Sequence, residues 1–226
     1  MDENKNHPKF INNAVVSPNS RSRSSPNSTS NSKSSSRLKS CPKWLWTSKA
    51  PAPLQSMMAG SNLRIAIVHA RWNDRIVYSL VDGAKKALIE AGVVAENIVT
   101  QSVPGSWELP VAVESIYAAS LTPTRSSPSP APFDAIIAIG ALIKGETMHF
   151  EYIADAVSQG LMRLQLEKSL PVIFGVLTLL NQEQGLVRAG LTGGKGSAAH
   201  NHGENWGLAA VELGAKRRAW REGVFL

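Results

Sequence analysis

From residue 63 onward, short unbroken apolar runs alternate with longer stretches in which apolar residues recur every three or four positions. The runs at 63–68, 98–103, 133–139 and 171–177 are short and bounded by polar or turn residues, and they predict strands. Residues 74–91 place Ile76, Val77, Leu80, Val81, Ala84, Ala87 and Leu88 on one face of a helix. Asn73 or Asp74 is expected to cap its start and Gly92 to end it. Further helices are predicted over 109–119, 150–169, 181–189 and 205–220. Strands alternating with helices specify a parallel sheet with right-handed crossovers and helices on both faces. The strands lack polar alternation, which fits coverage of both faces. The expected fold class is therefore α/β: a three-layer α/β/α sandwich around a four-stranded parallel sheet.

Two stretches stand outside this rhythm within the predicted domain, 61–226. Residues 122–132 are rich in Ser and Pro and must loop out, and 193–199 form a loop of small residues. Before the domain, residues 17–40 contain twelve serines with scattered prolines, asparagines and basic residues. Such a stretch has too little apolar surface to offset the entropy of ordering, so 1–60 is expected to be a disordered basic tail.

Charge sharpens that division. The 226 residues carry a formal charge of +7. Residues 1–60 hold nine Lys or Arg against Asp2 and Glu3, while 61–226 hold fifteen of each sign. A globally basic, nucleic-acid-binding body is excluded; RNA association would have to act through the tail. A Ser- and Arg-rich start is compatible with mitochondrial targeting, but Asp2 and Glu3 oppose it, and translation from Met57 or Met58 is a further alternative. The one cysteine, Cys41, gives no sign of an oxidising compartment. With no apolar run of bilayer length, the expected location is cytoplasmic and no membrane partner is expected.

In open parallel sheets, ligands bind at the carboxyl ends of the strands. The residues following the predicted strands are His69-Ala70-Arg71-Trp72-Asn73, Pro104-Gly105-Ser106-Trp107-Glu108, Gly140 through His149, and Thr178 near Phe174. Aromatic rings, a carboxylate, a Gly-rich turn, a hydroxyl and an imidazole thus gather at one edge. A planar ring, a polyol and a phosphate would find partners there.

These segments carry a family resemblance. Val103 through Pro110, Gly140 through Tyr152, Phe174 through Thr178 and Arg188-Ala189-Gly190 resemble the lumazine synthase family, and Asn201 through Gly207 resembles its fungal and yeast-type version. The match runs from about Leu63 to Leu213, leaving the tail and the 122–132 insert outside. It implies a flavodoxin-like fold and a transferase of riboflavin biosynthesis. The expected reaction joins 5-amino-6-(D-ribitylamino)uracil to 3,4-dihydroxy-2-butanone 4-phosphate, giving 6,7-dimethyl-8-ribityllumazine without a cofactor.

The resemblance also implies roles. His149 matches the proton-transfer histidine, a side chain able to both take up and release a proton. Trp72 matches the ring-stacking aromatic, beside Asn73. Ser106, Trp107 and Glu108 match the segment that holds the ribityl chain, and Ala141, Leu142 and Ile143 line the same subsite. Gly145, Glu146 and Thr147 form the phosphate turn at a helix start, where oriented N–H groups and the dipole favour an anion. Arg188 matches the phosphate arginine, whose fork suits a departing dianion. His202 stands where many bacterial relatives have a lysine. Phe174 matches a residue that closes the pocket from a neighbouring subunit. The expected assembly is a pentamer with sites shared between neighbours, because Phe174, Arg188 and His202 would complete the pocket of the next chain. Lys144 sits where the family tolerates Lys or Arg; a Schiff-base role is not needed, because the substrate brings its own amine.

Other motifs weaken on inspection. Gly194-Lys195-Gly196 lacks the upstream Gly and the Ser/Thr of a phosphate-binding P-loop. His200-x-His202 has no third ligand in a metal-binding spacing, so no metal is expected. A non-catalytic flavin or lumazine binder on the same scaffold is the alternative function. Such a binder would keep Trp72 and Glu108 but need not keep His149, Arg188 and the phosphate turn.

Overall fold

The computed structural model describes residues 60–123, 131–192 and 200–225. The expected disordered tail, most of the 122–132 insert and the 193–199 loop lie outside the described residues. Four strands, β1 (Ile65–Ala70), β2 (Ile98–Val103), β3 (Ala135–Ile143) and β4 (Val172–Leu179), form one parallel sheet in the order β2-β1-β3-β4. The connecting helices are α1 (Asp74–Glu90), α2 (Leu109–Ser120), α3 (His149–Lys168), α4 (Gln182–Arg188) and α5 (His202–Arg221).

Alternate strand residues feed two separate cores. Ile65, Ile67, Ile137 and Ile139 pack with Leu80 and Leu88 of α1 and with Val211 of α5. Ala66, Val68, Ile136 and Ala138 pack with Val113 of α2 and with Val157 and Leu161 of α3. The expected three layers are therefore present. The coverage of both faces holds for β1 and most of β3. It does not hold for β2, where Thr100, Gln101 and Ser102 sit at an open edge and every residue keeps some exposure.

Small residues set how closely the layers approach. A Cβ on Gly203 would come 2.0 Å from the Leu80 carbonyl oxygen, and one on Gly207 would come 2.7 Å from that of Ala84. Their absence lets α5 lie directly on α1. At the far end, the buried Arg217 guanidinium donates to the Ser169 and Phe133 carbonyls and to the Tyr117 hydroxyl, at 2.6, 2.8 and 2.8 Å. Arg218 donates through two nitrogens to the Asp134 carboxylate, each at 2.6 Å. Asp134 also accepts the Arg64 backbone N–H at 2.7 Å. These contacts tie α5 to the start of β3 and the end of α3. No helix among the described residues is long and apolar enough to cross a membrane.

Several boundaries differ from the sequence reading. β3 runs on through Gly140 to Ile143, and β4 runs on to Leu179, because the two strands stay paired over their full shared length. Gly140 does not end the strand. A Cβ there would meet the Ser106 hydroxyl at 2.5 Å, so its lack of a side chain admits Ser106 against the sheet. α5 begins at His202, three residues early, because the Asn201 side chain accepts the Gly203 N–H at 2.8 Å. Asn73 occupies the cap position of α1 without making a side-chain cap. It takes the left-handed conformation, φ 59°, which asparagine tolerates better than most residues.

Candidate active site

The segments that follow β1 and β2, and the end of β3, lie together at the C-terminal edge of the sheet. There the chain encloses an open pocket of about 710 Å³. β1 contributes Trp72 and Asn73, the turn after β2 contributes Pro104 through Glu108, β3 contributes Ala141, Leu142 and Ile143, and α3 contributes His149, Tyr152 and Ile153. A second cavity of about 420 Å³ lies at the opposite end, between α3 and α5, and holds none of the expected residues.

Hydrogen bonds fix the walls of the larger pocket. Asn73 donates its side-chain N–H to the Ala141 carbonyl at 2.8 Å, tying the β1 turn to the end of β3. Glu108 accepts the Gly105 N–H at 2.8 Å, folding the turn after β2 back on itself. The face of Gly105 that lacks a side chain looks toward the Trp72 indole: a Cβ there would meet Cδ1 at 3.4 Å. Trp72 is 73% exposed in the isolated chain and Trp107 is 57% exposed, so neither is a core residue. Ser106 is buried against Gly140. A large apolar ring standing in solvent beside a carboxylate-braced turn is a surface for stacking a planar ligand.

Gly145, Glu146 and Thr147 form an exposed turn between β3 and α3, next to the pocket rather than in its wall. A Cβ on Gly145 would touch nothing within 4 Å, so that side of the turn is open to a ligand. Thr147 Oγ1 accepts the His149 N–H at 3.4 Å, and His149 is the first residue of α3. Its side chain is exposed and lines the pocket. The turn is braced by Lys144 Nζ, which lies 2.6 Å from Glu151 Oε1. That contact, above all its hydrogen bond, holds the Glu151 carboxyl below the ordinary carboxylate range.

Three of the expected residues lie elsewhere in the same chain. Phe174 is 44% exposed on the outer strand β4, outside the pocket. Arg188 ends α4, and His202 opens α5. A bridge between Ala189 and Asn201 brings these two segments together over α1. Ser79 donates to the Ala189 carbonyl at 2.7 Å, and Asn201 donates to the Ser79 carbonyl at 2.7 Å. Burial pushes the His202 imidazole below its ordinary value, helped by the charges of Arg188 and His200. The structure therefore sorts the expected residues into a pocket group and a separate Arg188–His202 group.

Tyr152 and Ile153 were not singled out in the sequence as pocket residues. Helical spacing carries the signal: three and four positions after His149, they share its face of α3.

A family model described as 6,7-dimethyl-8-ribityllumazine synthase matches residues 62–218. The chain is 54% identical over 200 residues to the 6,7-dimethyl-8-ribityllumazine synthase of Pyricularia oryzae, covering 77% of this chain and 97% of that one. It is 52% identical over 169 residues to the enzyme of the same name from Schizosaccharomyces pombe, covering 74% and 95%. Against that of Streptomyces coelicolor it is 35% identical over 170 residues, covering 75% and 97%. A parallel sheet with this pocket, matched from Asn62 to Arg218, places the chain in the 6,7-dimethyl-8-ribityllumazine synthase family.

Proposed function

We propose that this lumazine synthase of riboflavin biosynthesis carries out its condensation in the 710 Å³ pocket, completed by residues of a neighbouring chain. The observation behind this reading is the separation just described. The pocket holds a stacking surface, a polyol-binding turn and a histidine, while Arg188, His202 and Phe174 stand exposed or half-buried outside it. A neighbour that presents its own Phe174 and Arg188–His202 group to this pocket would supply the missing cation and close the open side.

The roles follow from the chemistry. The pyrimidine of 5-amino-6-(D-ribitylamino)uracil stacks on Trp72 against Ala141, Leu142 and Ile143. Its ribityl hydroxyls meet Ser106, Trp107 and Glu108; a carboxylate accepts hydrogen bonds from hydroxyls, and the backbone at Trp107 adds further groups. Asn73 supports the same wall. The phosphate of 3,4-dihydroxy-2-butanone 4-phosphate rests on the Gly145–Thr147 turn, with Glu146 at its tip and the start of α3 behind it. The neighbour's Arg188 and His202 face the phosphate from the other side.

The 5-amino group adds to the ketone carbonyl and water leaves to give the imine. Loss of the proton from the adjacent hydroxyl-bearing carbon and departure of phosphate leave an enol, which tautomerises to a new carbonyl beside a methyl group. The ribitylamino nitrogen then attacks this new carbonyl, and a second water leaves to close the ring. His149 stands where it can carry protons between these steps. Holding two substrates side by side supplies a large share of the acceleration, since a bimolecular encounter becomes effectively unimolecular. The family's pentamer is the assembly that fits, with five equivalent shared sites.

Light scattering at working concentration, with product formation measured on the same sample, tests this reading. The expected result is a particle of five chains. A fully active monomer would refute the shared site.

A further inference from the structure

The turn proposed to bind phosphate carries an ion pair whose placement the binding scheme leaves unexplained. Lys144 leaves β3, and Glu151 lies in the first turn of α3. Their side chains meet at 2.6 Å across the base of the segment 145–148. The Lys144 backbone N–H also donates to the Leu179 carbonyl at 2.8 Å, so its main chain is an extension of the sheet. The pair therefore joins the sheet to the helix while bypassing the turn between them.

Two features separate this pair from an ordinary surface contact. The first is electrostatic: a carboxylate beside a phosphate site repels the ligand unless a cation neutralises it. The second is a satisfaction defect. Glu151 Oε2 is shut off from solvent and has no hydrogen-bond partner among the described residues. The side chains of the pair are 48% and 32% exposed, a setting in which an ion pair adds little to folding, so the contact is poorly explained as a device for stability. It is better explained by what Oε1 does to Lys144. With the lysine held back on Glu151, the ligand side of the turn keeps its backbone N–H groups, the Thr147 hydroxyl and the open face of Gly145.

We propose that Lys144 and Glu151 act as a positioning pair, a strap across the 145–148 turn that fixes its backbone for the phosphate of the ketone substrate and keeps Lys144 off that phosphate. The inference rests on the reading that this turn is the phosphate subsite. Neither residue touches substrate in this scheme. Both act through the turn, so their effects must be coupled and confined to one of the two substrates.

A double-mutant cycle on the full chain tests this. Lys144→Met, Glu151→Gln and the double variant are compared by steady-state kinetics, varying each substrate in turn. Each single variant is expected to raise the KM for the phosphorylated ketone about fivefold, with the double variant close to either single one rather than to their product. The KM for the ribitylaminouracil and kcat should move less than about twofold, and Lys144→Arg should restore most of the loss, because it keeps the charge-assisted contact. A general packing defect would weaken both substrates and not be rescued. If Glu151→Gln left the ketone KM unchanged or lowered it while Lys144→Met raised it, Lys144 would be a direct phosphate ligand and the strap would be wrong. Thr147→Val separates failure of the strap from failure of its premise. It should raise the ketone KM whether or not the strap exists, and no effect would remove the phosphate from this turn.

Discussion

Trp72 is the residue whose role departs furthest from its usual place in a protein. A tryptophan generally buries a large apolar area, yet this one is 73% exposed at the pocket mouth. Stacking needs a π face and not the indole N–H. Trp72→Phe should therefore keep most activity, while Trp72→Ala should weaken binding of the pyrimidine and of the lumazine product by about tenfold. Titration of product fluorescence against each variant measures this, and a lower melting temperature with unchanged affinity would make Trp72 a packing residue. His202 makes a second prediction at this scale. Its imidazole is held below the ordinary 6.5, chiefly by burial, with Arg188 and His200 adding to it. Between that value and the lower folded one, the unfolded chain takes up the proton first, so stability falls as pH falls through the window. Above the ordinary value this contribution is fully present. Urea unfolding at pH 7.5 and 5.5 should show a smaller loss for His202→Asn than for the parent chain, and an identical loss would contradict the assignment.

At the scale of elements, the C-terminal helix is held at both ends by side-chain hydrogen bonds, in addition to its packing on α1. Asn201 caps its start, and Arg217 near its end satisfies two carbonyls and a tyrosine hydroxyl. Arg217→Met keeps the apolar stem but leaves those acceptors without donors. It should lower stability by about 2–4 kcal/mol in chemical denaturation. Activity per folded molecule should change little, since the pocket lies at the other end of the sheet. The elements themselves were legible in the sequence because their apolar periods change from strand to helix without ambiguity. Their ends were less so. Gly140 looks like a strand terminator, but β3 stays paired with β4 as far as Ile143, and the missing side chain instead makes room for Ser106. Asn73 looks like a helix cap, but its amide is drawn to Ala141, a partner 68 positions away. The openness of β2 follows from its edge position, which a six-residue pattern does not reveal. The residues of the pocket group could be read from the rule that sites form at strand ends. Tyr152 was hidden because an exposed aromatic on a helix has no strand-end signal. That Arg188 and His202 sit together, away from the pocket, depends on a bridge between two segments that the sequence separates by a loop.

For the molecule as a whole, the proposed function has one chain offer two halves of a site to different neighbours. Symmetric rings use the same heterologous contact at every interface, so an exposed half-site on one side and its complement on another fit closure into a ring. Exposed apolar residues on α3 and β4, including Tyr152, Leu166 and Phe174, give such contacts material to bury. The most direct test co-expresses Trp72→Ala and Arg188→Ala chains in equal amounts and purifies the mixed assembly. With the ribitylaminouracil held well below its KM, each variant alone should be at least about tenfold less active than the parent. In random rings, about one site in four pairs an intact Trp72 with an intact Arg188 from the neighbour. The account predicts recovery to about a quarter of the activity of the parent protein on that basis. Activity no higher than the average of the two variants would show that Trp72 and Arg188 serve the same chain's site, and the shared pocket would be contradicted.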